Sequence, residues 1–325
     1  MLKKHHLFIF SFNQNMSYFF KRFFQFFILT LLVYIVILII VGSFQMRIKR
    51  FNLAVKDPGR LLLRIDDIKE YERLDILFLG SSRAFMGFDT RIFNNLGLQT
   101  FNFGSLAQTP MQTKYLYEKY ANNIDVKLIV FEVNPDIFSV DGIEGIIDLL
   151  TSDNIDRKMT KLALQTSHPN VYNTLIYMYV RKLLGYKLLY KGSVGSYVKG
   201  GGYVSSGITN QFPNKEFNEQ VIDINIKQLD AFEKLISIFK KKNINVLLIQ
   251  SPVTTNYYTS ILNIMGFDSL MASYGRYYNF NNLLQLDDSL DFTDHNHLNQ
   301  NGVEKFNQKL IETIIKEYYF KNISD

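Results

Sequence analysis

Along most of this chain, short apolar runs alternate with longer segments whose apolar residues recur at helical spacing, and one stretch has no polar face at all. From residue 23 to 44 it reads FFQFFILTLLVYIVILIIVGSF, twenty-two residues without a charge, bracketed by Lys21 and Arg22 before it and Arg47, Lys49 and Arg50 after it. At about 1.5 Å per residue this length crosses a hydrocarbon layer of roughly 30 Å as a helix. The pattern therefore predicts an N-terminal tail over 1–22 and a membrane-spanning helix over 23–44. A cleaved signal peptide and a buried core helix are the alternatives, and the run is long for a signal core and lacks a small-residue cleavage pattern. The first fifteen residues read as a short tail or as an overextended start, with Met16 opening the chain. Basic residues flank both sides, so the charge count does not orient the span.

A mixed-charge juxtamembrane linker over 45–73 follows, with Asp57-Pro58-Gly59 as a turn. Strand patterns then fall at Asp75–Leu79, Thr100–Phe103, Val126–Val133, Asn245–Gln250 and Leu283–Leu286. Helical spacing covers Met111–Asn122, Val221–Lys241 and Gly302–Tyr318. This order predicts an α/β domain over 74–320, a three-layer sandwich with a mostly parallel central sheet. Residues 141–217 interrupt it as an insertion. Its first part is amphipathic near Ile155–Lys187, and its second, KGSVGSYVKGGGYVSSG, reads either as a surface excursion or as a wall of a cleft.

Composition narrows the chemistry. The 325 residues include no cysteine, which excludes disulfides, thiol catalysis and cysteine-ligated metal. The net charge of +6 comes from scattered lysines, and no nucleic-acid recognition motif accompanies it.

Four predicted loops carry candidate groups. In LDILFLGSSRAFMG, residues 74–87, a strand runs into Gly80, which places Ser81, Ser82 and Arg83 at a carboxyl end, where ligands bind in open α/β sheets. NFGSLAQTP puts Gly104 and Ser105 after the second strand, and FEVNPDIF puts Asn134 after the third. A backbone N–H at Gly104 and the amide of Asn134 are donors of the kind that stabilise an oxyanion. In DFTDHNHLNQNG, Asp294 and His297 are three apart at the approach to a helix, so one turn brings the carboxylate to the imidazole, which can then take a serine's proton. A metal site built from Asp291, Asp294, His295 and His297, with Asp287 or Asp288, is the weaker alternative, because no closed ligand set supports it.

Together these loops resemble the SGNH hydrolase superfamily, the GDSL lipase and esterase class. Its Gly-Asp-Ser motif matches Gly80-Ser81-Ser82, with Ser81 in the aspartate position. Its glycine motif matches Gly104, its Gly-x-Asn motif falls on Glu132-Val133-Asn134 with the glycine replaced, and Asp-x-x-His matches Asp294 to His297. The resemblance implies Ser82 as nucleophile, His297 as base, Asp294 as its orienting carboxylate, and an oxyanion site made by Ser82, Gly104 and Asn134, with no cofactor. Gly-Ser-Ser variants resemble membrane-anchored envelope proteins, which implies an extracytoplasmic domain acting on acyl, chiefly acetyl, esters of a cell-envelope glycan, with a membrane acyl donor as a partner if it transfers. Arg83 is the expected contact for an anionic part of the substrate. Two other readings stay open: an inactive glycan-binding or assembly protein using the same cleft, and a lysophospholipase or carboxylesterase.

Overall fold

Parallel strands need long crossovers, and the crossovers here place helices on both faces of one sheet. The computed structural model describes residues 2–51, 60–185, 196–206 and 215–315. Helix α1 (Leu2–Phe51) precedes α2 (Leu61–Asp67), β1 (Arg73–Leu79), α3 (Ser82–Gly87), α4 (Thr90–Asn94), β2 (Thr100–Asn102) and α5 (Pro110–Leu116). Then come β3 (Asp125–Glu132), α6 (Pro135–Ser139), α7 (Ile143–Ser152), α8 (Arg157–Thr166), α9 (Pro169–Leu183) and α10 (Ile226–Lys241). The chain continues through β4 (Asn245–Gln250), α11 (Thr255–Ser260), α12 (Ile264–Tyr274), β5 (Arg276–Asn279), α13 (Phe280–Leu283), β6 (Phe292–Asp294), β7 (His297–Leu298) and α14 (Gln300–Leu310).

The five main strands lie in the order β2-β1-β3-β4-β5, and every pair is parallel. This is a doubly wound order whose direction reverses between β1 and β3, which opens a crevice at their carboxyl ends. Alternate residues face opposite layers. Leu77, Ile129 and Phe131 pack into a core with α5, α7, α8, α9 and α10, while Ile76, Phe78, Leu128 and Val130 pack with α3, α4 and α14. Burial on both faces is why these strands read as continuous apolar runs.

Three expectations shift. The edge strand is Arg276–Asn279, and Leu283–Leu286 is not a strand: Phe280–Leu283 is helical, started by Asn279, whose side chain accepts the Asn281 N–H. RYYN lacks an apolar run because the edge is half covered. The segment expected as linker over 45–73 begins as the end of α1, to Phe51, its expected turn at 57–59 lies outside the described residues, and it contains α2, whose Leu61 and Ile65, with the following Ile68, are buried in the core. The predicted helix ending at Tyr318 is observed as α14 followed by a π-turn to Ile315, and 316–318 lie outside the described residues.

Within the insertion, Ser167 at φ 51° and Pro169 at the first helical position divide the amphipathic stretch into α8 and α9. Residues 186 and 187 of that stretch lie outside the described residues. The glycine-rich part, over 196–206, is docked as a wall: Gly201 accepts from Asn102 N–H at 2.9 Å, Val204 N–H donates to Phe85 O at 2.9 Å, and Arg64 Nε donates to Gly202 O at 2.6 Å. Helix α1 contains Met16–Ser43, long and apolar enough to cross a membrane by length and composition.

Candidate active site

β1 ends at Gly80, where φ is +138° and an added Cβ would lie 2.8 Å from Glu132 Cβ, so only glycine fits the turn. Ser81 caps α3, its hydroxyl accepting the Arg83 N–H at 3.3 Å, and Ser82 is the first helical residue. At that position a backbone N–H has no acceptor within its own helix.

The C-terminal motif arrives at the same point. β6 and β7 pair antiparallel with Asp294 opposite His297, so a tight hairpin, not a helical turn, presents the two side chains together. His297 Nε2 lies 2.7 Å from Ser82 Oγ, across 215 positions of sequence, and His297 Nδ1 lies 2.9 and 3.0 Å from the two Asp294 oxygens. The carboxylate fixes the tautomer with the proton on Nδ1, which leaves Nε2 to accept from the Ser82 hydroxyl. Burial by itself would raise the Asp294 pKa, but hydrogen bonding and charge from His297, with the Asn296 N–H, bring it down to about 2. Ser82, His297 and Asp294 thus form a continuous hydrogen-bonded relay.

The two further oxyanion candidates stand close by, each already engaged. Gly104 is pressed against the Gly80–Ser81 turn, where a Cβ would meet Ser81 O at 2.8 Å, and its N–H donates to Asn102 Oδ1 at 3.2 Å. Asn134 starts α6 by accepting the Ile137 N–H, and its amide donates to both Glu132 oxygens at 3.0 and 3.1 Å. Of the three expected donors, the Ser82 N–H is the one in an orphan helix position.

Arg83 has a different neighbourhood from the one its sequence position indicated. Its side chain is only 4 % exposed and is ion-paired with Asp136. Burial would lower its pKa, but Asp136 and Glu132 hold it above its ordinary value. Tyr257, whose hydroxyl donates to Asp136 at 2.7 Å, lies beneath the guanidinium. A guanidinium so enclosed supports the floor of the site and does not reach out to an anionic polymer. His295 packs its ring on Tyr257 and Phe217, with centroids 4.8 and 5.2 Å away, and burial lowers its pKa. Asp291 pairs with Lys305 at 2.7 Å, Asp288 accepts the Thr255 N–H, and Asp287 accepts the N–H groups of Ser289 and Leu290.

Glu132 is the residue whose part sequence reasoning missed. It is fully buried and accepts from Ser81 Oγ at 3.1 Å as well as from Asn134. Its carboxylate reaches the Ser81 hydroxyl across the β1–β3 pairing. The signal was present in the two departures taken together. Asn102 was missed too: its amide holds Ala84 O and Phe88 O while its oxygen holds Gly104. The insertion borders the site, with Ser206 donating to Leu298 O and Phe217 against His295.

No family model matches the sequence, and no curated protein matches it. Solved structures similar to the chain include a provisionally assigned acylhydrolase from Bacteroides fragilis, at 12 % identity and TM-score 0.38, covering 76 % of this chain and 88 % of the other. A GDSL-like lipase from Bacteroides thetaiotaomicron has 11 % identity and TM-score 0.38, over 77 % and 90 % of the two chains. A protein from Streptococcus pneumoniae, provisionally assigned as platelet activating factor, has 10 % identity and TM-score 0.40, over 83 % and 98 %. At this level of likeness the chemistry has to be read from the chain's own geometry. The sheet order and the helices on its two faces make the architecture the three-layer α/β sandwich with a parallel central sheet that the sequence led us to expect.

Proposed function

We propose that this protein is a membrane-anchored serine esterase or O-acyltransferase that acts on acyl esters, chiefly acetyl, of a cell-envelope glycan or similar polymer, with its domain on the extracytoplasmic side. The observation that carries the reading is the relay from Ser82 Oγ to His297 Nε2 at 2.7 Å and from His297 Nδ1 to Asp294 at 2.9 Å. An ordinary serine is a weak nucleophile unless a base takes its proton and donors receive the developing charge. In the first step Ser82 Oγ bonds to the ester carbonyl carbon while its proton passes to His297 Nε2. Asp294 stabilises the imidazolium, and the carbonyl oxygen becomes an oxyanion facing the Ser82 N–H. Gly104 N–H and the Asn134 amide join by sharing their present hydrogen bonds. Collapse breaks the bond to the alcohol, which takes the proton from His297 and leaves an acyl-serine. Water then yields hydrolysis, and a sugar hydroxyl yields transfer.

The substrate class and the side of the membrane come from the sequence resemblance. The serine chemistry comes from the geometry. A fluorophosphonate probe should label Ser82 in the full chain, and labelling should be lost in Ser82→Ala and strongly reduced in His297→Ala. A folded wild-type protein that neither labels nor turns over small acetyl esters, yet binds an envelope glycan equally well as Ser82→Ala, would replace this reading with that of a binding protein.

A further inference from the structure

The part of α1 available to a membrane is longer than a membrane needs. Met16–Ser43 holds 28 residues, Lys21 and Arg22 among them, about 42 Å at ~1.5 Å per residue, against a hydrocarbon layer of roughly 30 Å. The surplus has a visible use. From Met16 to Tyr34 every residue is exposed, whereas Ile35, Leu38, Ile39 and Gly42 are partly covered at helical spacing. The covering element is α9: Tyr34 donates to Asn173, Tyr177 lies against Gly42, and Ser43 Oγ is 3.3 Å from the Tyr177 hydroxyl.

The geometry points to a bilayer whose hydrocarbon ends at about Tyr34, with residues 35–43 rising beside α9 through the headgroup layer, their uncovered face of Val36, Ile37, Ile40 and Val41 turned to it, and the α8–α9 corner seated on the lipid surface. This rests on the membrane reading of α1 and adds to it where the boundary falls and which face of the domain meets lipid. Met16 to Tyr34 spans about 28 Å as a helix, close to the hydrocarbon thickness. Tyr18 and Tyr34 then stand near its two ends, where tyrosines are favoured. Lys21 and Arg22 then lie about 8–9 Å inside that end, a depth from which their long side chains reach the surface, and the Arg22 guanidinium turns one helical turn back to the Tyr18 hydroxyl, at 2.7 and 3.0 Å, and so carries its charge toward the nearer surface. A window over 23–44 would instead put Tyr34 and Asn173 at mid-bilayer and immerse the polar start of α9, Pro169-Asn170, where backbone and amide groups lack water.

Two exposed apolar residues flank this contact. Ile176 on α9 is 36 % exposed and Leu164 on α8 is 53 % exposed, and Tyr172 joins the two helices by donating to Leu164 O. A helix surface that continues directly from a membrane span and presents such residues fits an interfacial lipid contact. The domain is then held at a fixed height by a shared helix and is not free to swing on a tether.

The chain has no tryptophan, so a single introduced tryptophan reports one position. Full-length Phe27→Trp, Ile40→Trp, Ile176→Trp and Leu96→Trp proteins would be reconstituted into phosphatidylcholine vesicles with bromines placed either deep in the acyl chains or near the glycerol. Phe27→Trp should lose most of its fluorescence to deep bromines, and Ile40→Trp should not. Ile176→Trp should be quenched by the shallow bromines alone, and Leu96→Trp, which lies in the opposite helical layer, by neither. Deep quenching of Ile40→Trp as strong as that of Phe27→Trp would overturn the boundary, and equal quenching of Ile176→Trp and Leu96→Trp would overturn the seat. An unquenched Phe27→Trp would remove the membrane span itself, a failure separate from both.

Discussion

Replacing Glu132 tests whether its carboxylate, and not the strand around it, organises the floor of the candidate site. Its side chain accepts from Ser81 Oγ at 3.1 Å and from Asn134 Nδ2 at 3.0 Å, with no water-exposed surface and with Arg83 nearby. Burial raises its pKa, opposed by Arg83 and by these two donors. Glu132→Ala leaves both donors without their acceptor, opens a small void, and leaves Arg83 with Asp136 as its carboxylate partner. Hydrogen bonds to a charged group contribute about 1.5–3 kcal/mol each, so a loss of about 3–5 kcal/mol in unfolding free energy is expected, reduced because burying the carboxylate was itself costly. Glu132→Gln keeps the volume and one acceptor oxygen, and should cost about 1–2 kcal/mol. Both are read by urea unfolding of the full chain in detergent, next to acetyl-ester turnover at a temperature where each variant is folded. Turnover should fall further than stability predicts, through kcat, because Asn134 loses the partner that sets its amide. An Ala variant within about 0.5 kcal/mol of wild type would refute the reasoning, as would Gln and Ala variants of equal stability.

Asp294 has a folded pKa of about 2 against an ordinary 3.8, so its contribution to stability is complete above the ordinary value and is lost as the pH falls through about 2. The carboxylate is about a third exposed, so the effect is on the order of 1 kcal/mol, and acid titration of Asp294→Asn should show that limb flattened. Arg83→Lys should destabilise the domain by about 1–3 kcal/mol, since an ammonium cannot fill the enclosed site against Asp136, while leaving the ratio of KM values for anionic and neutral esters unchanged; a selective rise for anionic esters would restore the substrate role. Gly80→Ala should cost more than about 2 kcal/mol, read by thermal unfolding, because of the positive φ and the approach of Glu132 Cβ. High-salt washing should leave the full chain in the membrane fraction, since salt screens surface charge but does not weaken burial of an apolar span.

Local pattern determined much of this protein. The strands β1, β3 and β4 were legible because burial on both faces makes them continuous apolar runs, and Gly80 and the Asp294–His297 spacing marked the loops where chemistry gathers. The edge strand Arg276–Asn279 was not legible, since a half-covered strand needs no apolar run. The length and hydropathy of α1 were visible in the sequence, but which of its residues are covered is decided by α9, a contact between segments more than a hundred residues apart. The same holds at the site. Ser82 and His297 were named from their motifs, but their 2.7 Å approach exists only because β1 and the β6–β7 hairpin end at one place. The pairing of Ser81 with Glu132 and of Arg83 with Asp136 is likewise set by the β1–β3 register, which brings Leu79 opposite Phe131 and so puts the two loops side by side. Sequence spacing records what each strand end carries; which charge neutralises which is decided by strand order, because a buried charge takes whatever partner the neighbouring strand delivers.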